Sequence, residues 1–126
     1  MPLVRISLMK GKSKDFGQQV GEIIYQAMVD TIKVPVKDNF QIITEHDSHS
    51  LIYDPTYLDI NRTPDIVVIQ ITLNEGRDVA LKKLLYQTIA DRLHGGLDIR
   101  REDVFISLVE VKKENWSFGN GIAQYA

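Results

Sequence analysis

Two copies of one local pattern, in the order strand, chain break, amphipathic helix and strand, constrain this 126-residue chain most strongly. A shift of 65 residues superimposes the copies, so that Ile6 falls on Ile71 and Asp38 falls on Asp103. Parallel strands of one sheet need a long crossover connection, which is usually a helix. Each copy therefore predicts a β-α-β unit. We expect an α+β fold with a four-stranded mixed sheet and two helices on one face of that sheet.

The bounds of the predicted elements follow from hydrophobic periodicity. Apolar runs predict strands at 3–8, 39–45, 66–73 and 103–111, and helical stripes predict helices at 15–32 and 78–94. The first repeat then spans about residues 1–63 and the second about 64–126. A chain of this length is expected to form a single domain over residues 1–126.

The sequence predicts the helix caps and the short strands less strongly than the main helices and strands. Ser13 is the expected N-cap of the first helix, and Gly95-Gly96 is the expected end of the second helix. Short strands are expected at 51–53, within a polar loop, and at 122–125, within a glycine-rich tail.

Composition narrows the classes of function. The net charge is −2, and no long basic run is present, so we expect no nucleic-acid partner. The absence of cysteine excludes disulfides, thiolate metal sites and a cysteine nucleophile. No apolar run has the length of a membrane span, and no signal-peptide pattern is visible. We expect a cytoplasmic protein with no membrane partner.

The apolar run of residues 66–69 predicts a strand that is buried on both faces of the sheet. Two helices can cover only one face, so the other face needs a different cover. A second copy of the chain and the loop at 46–63 are the alternatives. We favour the second copy, because a large apolar patch is typical of an interface between subunits.

The first two residues, Met1-Pro2, become chemically important if Met1 is removed. A small second residue generally permits this removal, which would leave Pro2 with a secondary amine. Terminal amines titrate close to neutral pH, so this group could take and return a proton. The alternative is that Pro2 is incidental, as it would be in a non-enzymatic, ferredoxin-like binding or assembly module.

Pro2 ahead of a strand, the two repeats and four short motifs together resemble the tautomerase superfamily, in its malonate semialdehyde decarboxylase-like branch. The motifs are Val34-Pro35-x-x-Asp38-x-Phe40-Gln41-Ile42, Glu45-His46, Leu73-Asn74-Glu75-Gly76-Arg77 and Trp116-Ser117-Phe118-Gly119. The resemblance covers essentially the whole chain. It implies a homotrimer whose sheets line a central barrel, with no metal and no organic cofactor.

The resemblance also implies an activity and its residues. Members catalyse keto–enol tautomerisation of 2-oxo acids such as phenylpyruvate, and others decarboxylate a 3-oxo acid or hydrate an unsaturated acid. By correspondence with the family, Pro2 is the catalytic amine, and Asp38 activates water or balances charge. Arg77 binds the substrate carboxylate, and Trp116 and Phe118 form the walls of the pocket.

One departure from the family bears on the choice of reaction. The decarboxylases of this branch carry two arginines, separated by one residue, before the second helix, and this chain supplies only Arg77. A single guanidinium can bind a carboxylate bidentately but offers less charge for polarising a second carbonyl. Tautomerisation is therefore favoured over decarboxylation.

The residues themselves leave structural alternatives open. Asp38 would serve as a turn residue, Arg77 as a surface charge, and Trp116 with Phe118 as packing. His46 and the histidine three residues later would suit a metal only in a helix or tight turn with a further ligand, so we predict no metal site.

Overall fold

The computed structural model describes residues 1–126. Its strands are β1 (Leu3–Met9), β2 (Phe40–His46), β3 (Val67–Asn74) and β4 (Val104–Val111), and its helices are α1 (Phe16–Ile32) and α2 (Val79–Leu97). The strands form one sheet in the order β2-β1-β3-β4. β1 is parallel to β2, β3 is parallel to β4, and the central pair is antiparallel. The mixed sheet built from two β-α-β repeats is thereby confirmed.

The strand registers repeat with the same shift as the sequence. Leu3 lies beside Phe40 in the first repeat, and Val68 lies beside Phe105 in the second repeat, 65 residues further along. The two halves are therefore related by an approximate twofold axis through the centre of the sheet. Equivalent positions in the halves can be compared directly.

Both helices pack on one face of the sheet, which we call the inner face. Its central strands contribute alternating buried side chains: Val4, Ile6, Leu8, Val67, Ile69, Ile71 and Leu73. The helices bury their apolar stripes against these residues, led by Ile24 and Met28 of α1 and Leu85 and Ile89 of α2. One cluster of 17 buried residues results, and it draws on both repeats.

Gly21 lets the first helix approach the edge of the sheet. The Nε2 amide of Gln41, in β2, donates a hydrogen bond of 2.7 Å to the carbonyl oxygen of Gly21. A Cβ atom at Gly21 would lie 2.1 Å from the Oε1 atom of Gln41, well inside contact distance. The glycine thus allows the bond that fixes the start of β2, two residues after Asp38.

The opposite, outer face carries apolar side chains that the single chain does not cover. The residues Phe40, Ile42, Phe105 and Val109 are 51%, 42%, 48% and 37% exposed. The loop at 46–63 lies near Val68 and Phe105 of this face, and residues of the loop line a cavity of about 300 Å³ together with these two side chains. Cover by a second copy stays a prediction.

The first helix begins differently from the prediction. Its N-cap is Asp15, whose side chain makes no capping bond, and Ser13 contributes only its carbonyl oxygen, which accepts from the Phe16 amide at 3.1 Å. The second helix has a true side-chain cap: the Asp78 carboxylate accepts from the Leu81 amide at 2.9 Å.

The second helix ends later than the glycine pair predicts. Gly95 and Gly96 lie inside α2, which continues to Leu97. The chain then turns at Asp98, in the left-handed conformation with φ of 56°. Aspartate tolerates this conformation better than most side chains, because its short polar group bonds locally.

The short strands predicted at 51–53 and 122–125 are wrong. The loop at 47–63 is held instead by Arg62, whose guanidinium donates to three main-chain carbonyl oxygens of the loop. Neither helix combines the length and hydropathy that a membrane span requires.

Candidate active site

The start of the chain lies at one end of the sheet, where β1 and β2 begin and β3 ends. The α-amino nitrogen of Met1 is 3.7 Å from Oδ2 of Asp38, and the side chains of these two residues are 11% and 12% exposed. Pro2 is buried, and its nitrogen belongs to the Met1–Pro2 peptide bond. The structure therefore places a terminal amine, rather than the Pro2 amine, against Asp38.

Asp38 and its repeat counterpart Asp103 have different surroundings. The fully buried Asp103 accepts bonds of 2.7 Å and 2.6 Å from the amide and hydroxyl of Thr63, so both carboxylate oxygens are used. Asp38 keeps its Oδ1 buried with no hydrogen-bond partner, and its Oδ2 faces the amine. Buried polar atoms are usually paired, so the unpaired oxygen of Asp38 is an exception in this fold.

Three effects set the pKa of the Met1 amine. Burial lowers the pKa most, because it disfavours the charged ammonium form. The carboxylate of Asp38 raises the pKa, and the positive charge of Arg77 lowers it. The net pKa lies below the ordinary value of a terminal amine.

Arg77 lies in the loop between β3 and α2, directly after Gly76, whose φ of +121° suits glycine. Its Nη1 atom donates a 3.1 Å bond to the carbonyl oxygen of Asn74. The side chain is partly buried and near enough to the amine to influence its pKa. Arg77 does not line the adjoining cavity.

Three aromatic rings from the tail form what we call the aromatic wall: Trp116, Phe118 and Tyr125. The rings of Trp116 and Phe118 stack with centroids 5.5 Å apart, and Tyr125 meets Phe118 edge-on at 4.9 Å. Two rings of the wall, Trp116 and Phe118, line a cavity of about 200 Å³ together with Met1, Pro2, Leu3, Phe40 and Ser117.

The structure thus brings Pro2, Asp38, Arg77, Trp116 and Phe118 to one end of the sheet, although their roles in catalysis stay predictions. His46 is not part of this group. It lies at the opposite end of β1 and β2, where its Nδ1 atom is 3.2 Å from the hydroxyl of a nearby serine.

Sequence reasoning missed several neighbours of these residues. Leu3 and Phe40 line the cavity, and strand alternation could have placed both on one side of the sheet. Asn74 was visible only as part of a motif, although its amide Oδ1 accepts a 2.8 Å bond from the Trp116 indole. Asn74 lies beside the start of the chain because β1 pairs antiparallel with β3, and no local sequence pattern predicts that pairing.

The geometry can be compared with known proteins. A family profile described as tautomerase enzyme matches residues 38–119. The chain is 44% identical, over 98% of each chain, to the protein named probable tautomerase YusQ from Bacillus subtilis (strain 168).

Solved structures agree with this match. A malonate semialdehyde decarboxylase designated FG41, inhibited by 3-bromopropiolate, superposes with a TM-score of 0.90 at 32% identity and covers 98% of this chain and 93% of its own. A second malonate semialdehyde decarboxylase, described as having decarboxylase and hydratase activities, also gives a TM-score of 0.90, at 26% identity, and covers 98% of this chain and 95% of its own.

Proposed function

This chain belongs to the tautomerase family of enzymes, and from that premise we propose that it interconverts keto and enol forms of 2-oxo acids with the Pro2 amine. The proposal requires removal of Met1, which frees the Pro2 nitrogen. Phenylpyruvate is the proposed type of substrate. No metal or organic cofactor has a part in the proposed reaction.

The observation that carries this proposal is a terminal amine 3.7 Å from the Asp38 carboxylate, beside a cavity lined by Trp116 and Phe118, with Arg77 near enough to lower the pKa of the amine. Asp38 favours the protonated amine, whereas burial and Arg77 favour the neutral amine. An amine whose pKa is balanced near the working pH can both accept and donate a proton. After loss of Met1, the Pro2 amine would meet the same groups.

The proton transfer is internally balanced. Neutral Pro2 accepts the hydroxyl proton of the enol, and the enol becomes an enolate beside a secondary ammonium. The electron pair of the enolate then forms a bond from C3 to the proton of that ammonium. The carbonyl is restored, Pro2 is neutral again, and no proton is gained or lost overall.

The remaining residues would bind the substrate. The guanidinium of Arg77 suits the substrate carboxylate, since two parallel N–H donors match its two oxygens. Trp116 and Phe118 would contact the aryl side chain, because aromatic rings gain from burial and stacking. Removal of Met1, which lines the cavity, would enlarge the space for that side chain.

The test measures loss of the phenylpyruvate enol by ultraviolet absorbance in the wild type and in Pro2→Ala. We expect kcat/KM to fall about 100-fold, within the usual worth of a positioned acid–base group. Pro55→Ala, which changes an exposed proline in the loop, is the matched control and should leave the rate unchanged. Equal rates for the wild type and Pro2→Ala would exclude Pro2 as the catalyst.

Intact mass adds an independent check on the same proposal. The active protein should lack the mass of Met1. A protein that keeps Met1 has an amide at Pro2 and should be inactive, so full activity with Met1 in place contradicts the mechanism.

Decarboxylation or hydration of a 3-oxo or unsaturated acid is the second candidate. The likeness to two malonate semialdehyde decarboxylases favours it. So does Asp38, because a carboxylate close to the amine stabilises the cation that polarises a carbonyl. Carbon dioxide release from malonate semialdehyde, compared with enol loss on the same preparation, decides between the two.

The apolar outer face supports a working homotrimer. Side chains such as Phe40 and Phe105 are about half exposed, which is typical of a surface that a partner subunit covers. Sedimentation or light scattering should give three times the mass of the chain.

A further inference from the structure

Asn74, the last residue of β3, bonds to two of the proposed substrate-binding residues at once. Its side-chain Oδ1 accepts a 2.8 Å bond from the indole Nε1 of Trp116, and its main-chain carbonyl accepts a 3.1 Å bond from Nη1 of Arg77. The two residues are far apart in sequence and come from different elements. Asn74 therefore links Arg77, the proposed carboxylate-binding residue, to Trp116 of the aromatic wall.

The position of Asn74 in the sheet explains why it can make both contacts. The pairing of β1 with β3 sets Leu3 beside Thr72, so the same register, continued by two residues, sets Met1 beside Asn74. The strand ends here, which frees the chain to turn towards Arg77. The neighbouring β4 ends beside Asn74, at Val111, and leads into the tail that carries Trp116.

The hydrogen bond to Asn74 constrains the orientation of the Trp116 ring. An indole nitrogen is a donor only, and it usually has a partner when it is buried. Trp116 and Asn74 are both partly buried, so loss of the amide oxygen would leave the indole N–H without its acceptor. The ring would then turn towards water and leave its stacked contact with Phe118.

We propose that Asn74 is a positioning residue for the aromatic part of the substrate: it holds the Trp116 ring at a fixed place relative to Arg77. This inference rests on the proposed function, in which Arg77 takes the carboxylate and Trp116 contacts the aryl group. The distance between those two contacts then selects for 2-oxo acids whose aryl group is held at a matching distance from the carboxylate. Asn74 acts through its neighbours and takes no part in proton transfer.

The chain offers a direct probe, since Trp116 is its only tryptophan. The variants are Asn74→Ala, which removes the acceptor, and Asn74→Asp, which keeps an oxygen acceptor of the same reach. Asn115→Ala is the matched control, because it deletes an exposed amide next to Trp116. The emission maximum of Trp116 and the quenching of that emission by 3-phenylpropionate are measured without any turnover.

For Asn74→Ala we expect a red-shifted emission and weaker binding of 3-phenylpropionate by about fivefold, the factor that corresponds to one net hydrogen bond. The KM for phenylpyruvate should rise by the same factor, with kcat within about twofold of the wild type. Asn74→Asp and Asn115→Ala should keep the wild-type emission.

Two results would overturn the proposal. One is an Asn74→Ala protein with wild-type emission and wild-type affinity for 3-phenylpropionate. The other is an equal emission shift in Asn74→Ala and Asn74→Asp, because the acceptor would then be irrelevant. A wild type that binds 3-phenylpropionate but does not turn over phenylpyruvate refutes the proposed function alone. The emission of Trp116 in the Asn74 variants then still decides the role of Asn74.

Discussion

Replacing Asp38 with asparagine should lower the pKa of the proposed catalytic amine and extend activity to lower pH. The variant keeps the size of the side chain and removes its charge. In the structure the carboxylate Oδ2 is 3.7 Å from the Met1 amine, and the side chains of Asp38 and Met1 are largely buried. Attraction to the carboxylate favours the ammonium form, so its removal favours the neutral amine.

The distance gives the magnitude. Two unit charges this close attract by about 1 kcal/mol in bulk water and about 4 kcal/mol near a protein surface. One pKa unit corresponds to about 1.4 kcal/mol. We therefore expect the pKa of the amine to fall in Asp38→Asn, and kcat/KM on the acid limb to rise at least about fivefold, the factor that corresponds to about 1 kcal/mol.

The assay is the pH dependence of kcat/KM for loss of the phenylpyruvate enol, whose acid limb reports the amine of the free enzyme. NMR titration of the terminal amine in a protein that retains Met1 measures the same effect without turnover. Asp65→Asn removes an exposed carboxylate that pairs with Lys12 and serves as the control. An acid limb that stays in place, or moves to higher pH, in Asp38→Asn would refute the argument.

Three further predictions follow from the same geometry. Arg77→Ala should raise the KM for phenylpyruvate at least tenfold, because a hydrogen bond to a charged group is lost. It should also raise the pKa of the acid limb, because a nearby positive charge is lost. An unchanged KM would show that Arg77 does not bind the substrate. Asp103→Asn should lower the free energy of unfolding by about 1–3 kcal/mol in urea titrations, because the two bonds from Thr63 are disturbed, and it should leave the acid limb in place. Ile42→Lys puts a charge on the outer face and should reduce the sedimenting mass to that of a single chain, whereas an intact assembly would show that this face is not the interface.

Periodicity predicted the strands and helices well, because burial on one side of an element imposes a local pattern on the sequence. The ends of the helices and strands were harder to predict. The Gly95-Gly96 pair suggested a stop, but the helix continues three residues beyond the predicted end at 94, to Leu97, which packs against the core. The short strands predicted at 51–53 and 122–125 are absent, because neither segment pairs with another strand. Side-chain bonds to nearby main-chain groups, from Arg62 in the loop and from Gln124 in the tail, leave no periodic trace in the sequence.

The sequence by itself determined the two repeats, the order of the elements, and the identities of Pro2, Asp38, Arg77, Trp116 and Phe118 as candidate site residues. Only the tertiary structure decided that β1 and β3 pair antiparallel, and so which residues stand around the amine. It also showed that Asp38 and Asp103, which occupy equivalent positions in the repeat, differ in their hydrogen-bond partners. Strand pairing and the hydrogen-bond partners of the two aspartates depend on contacts between distant segments. Local sequence patterns do not encode such contacts.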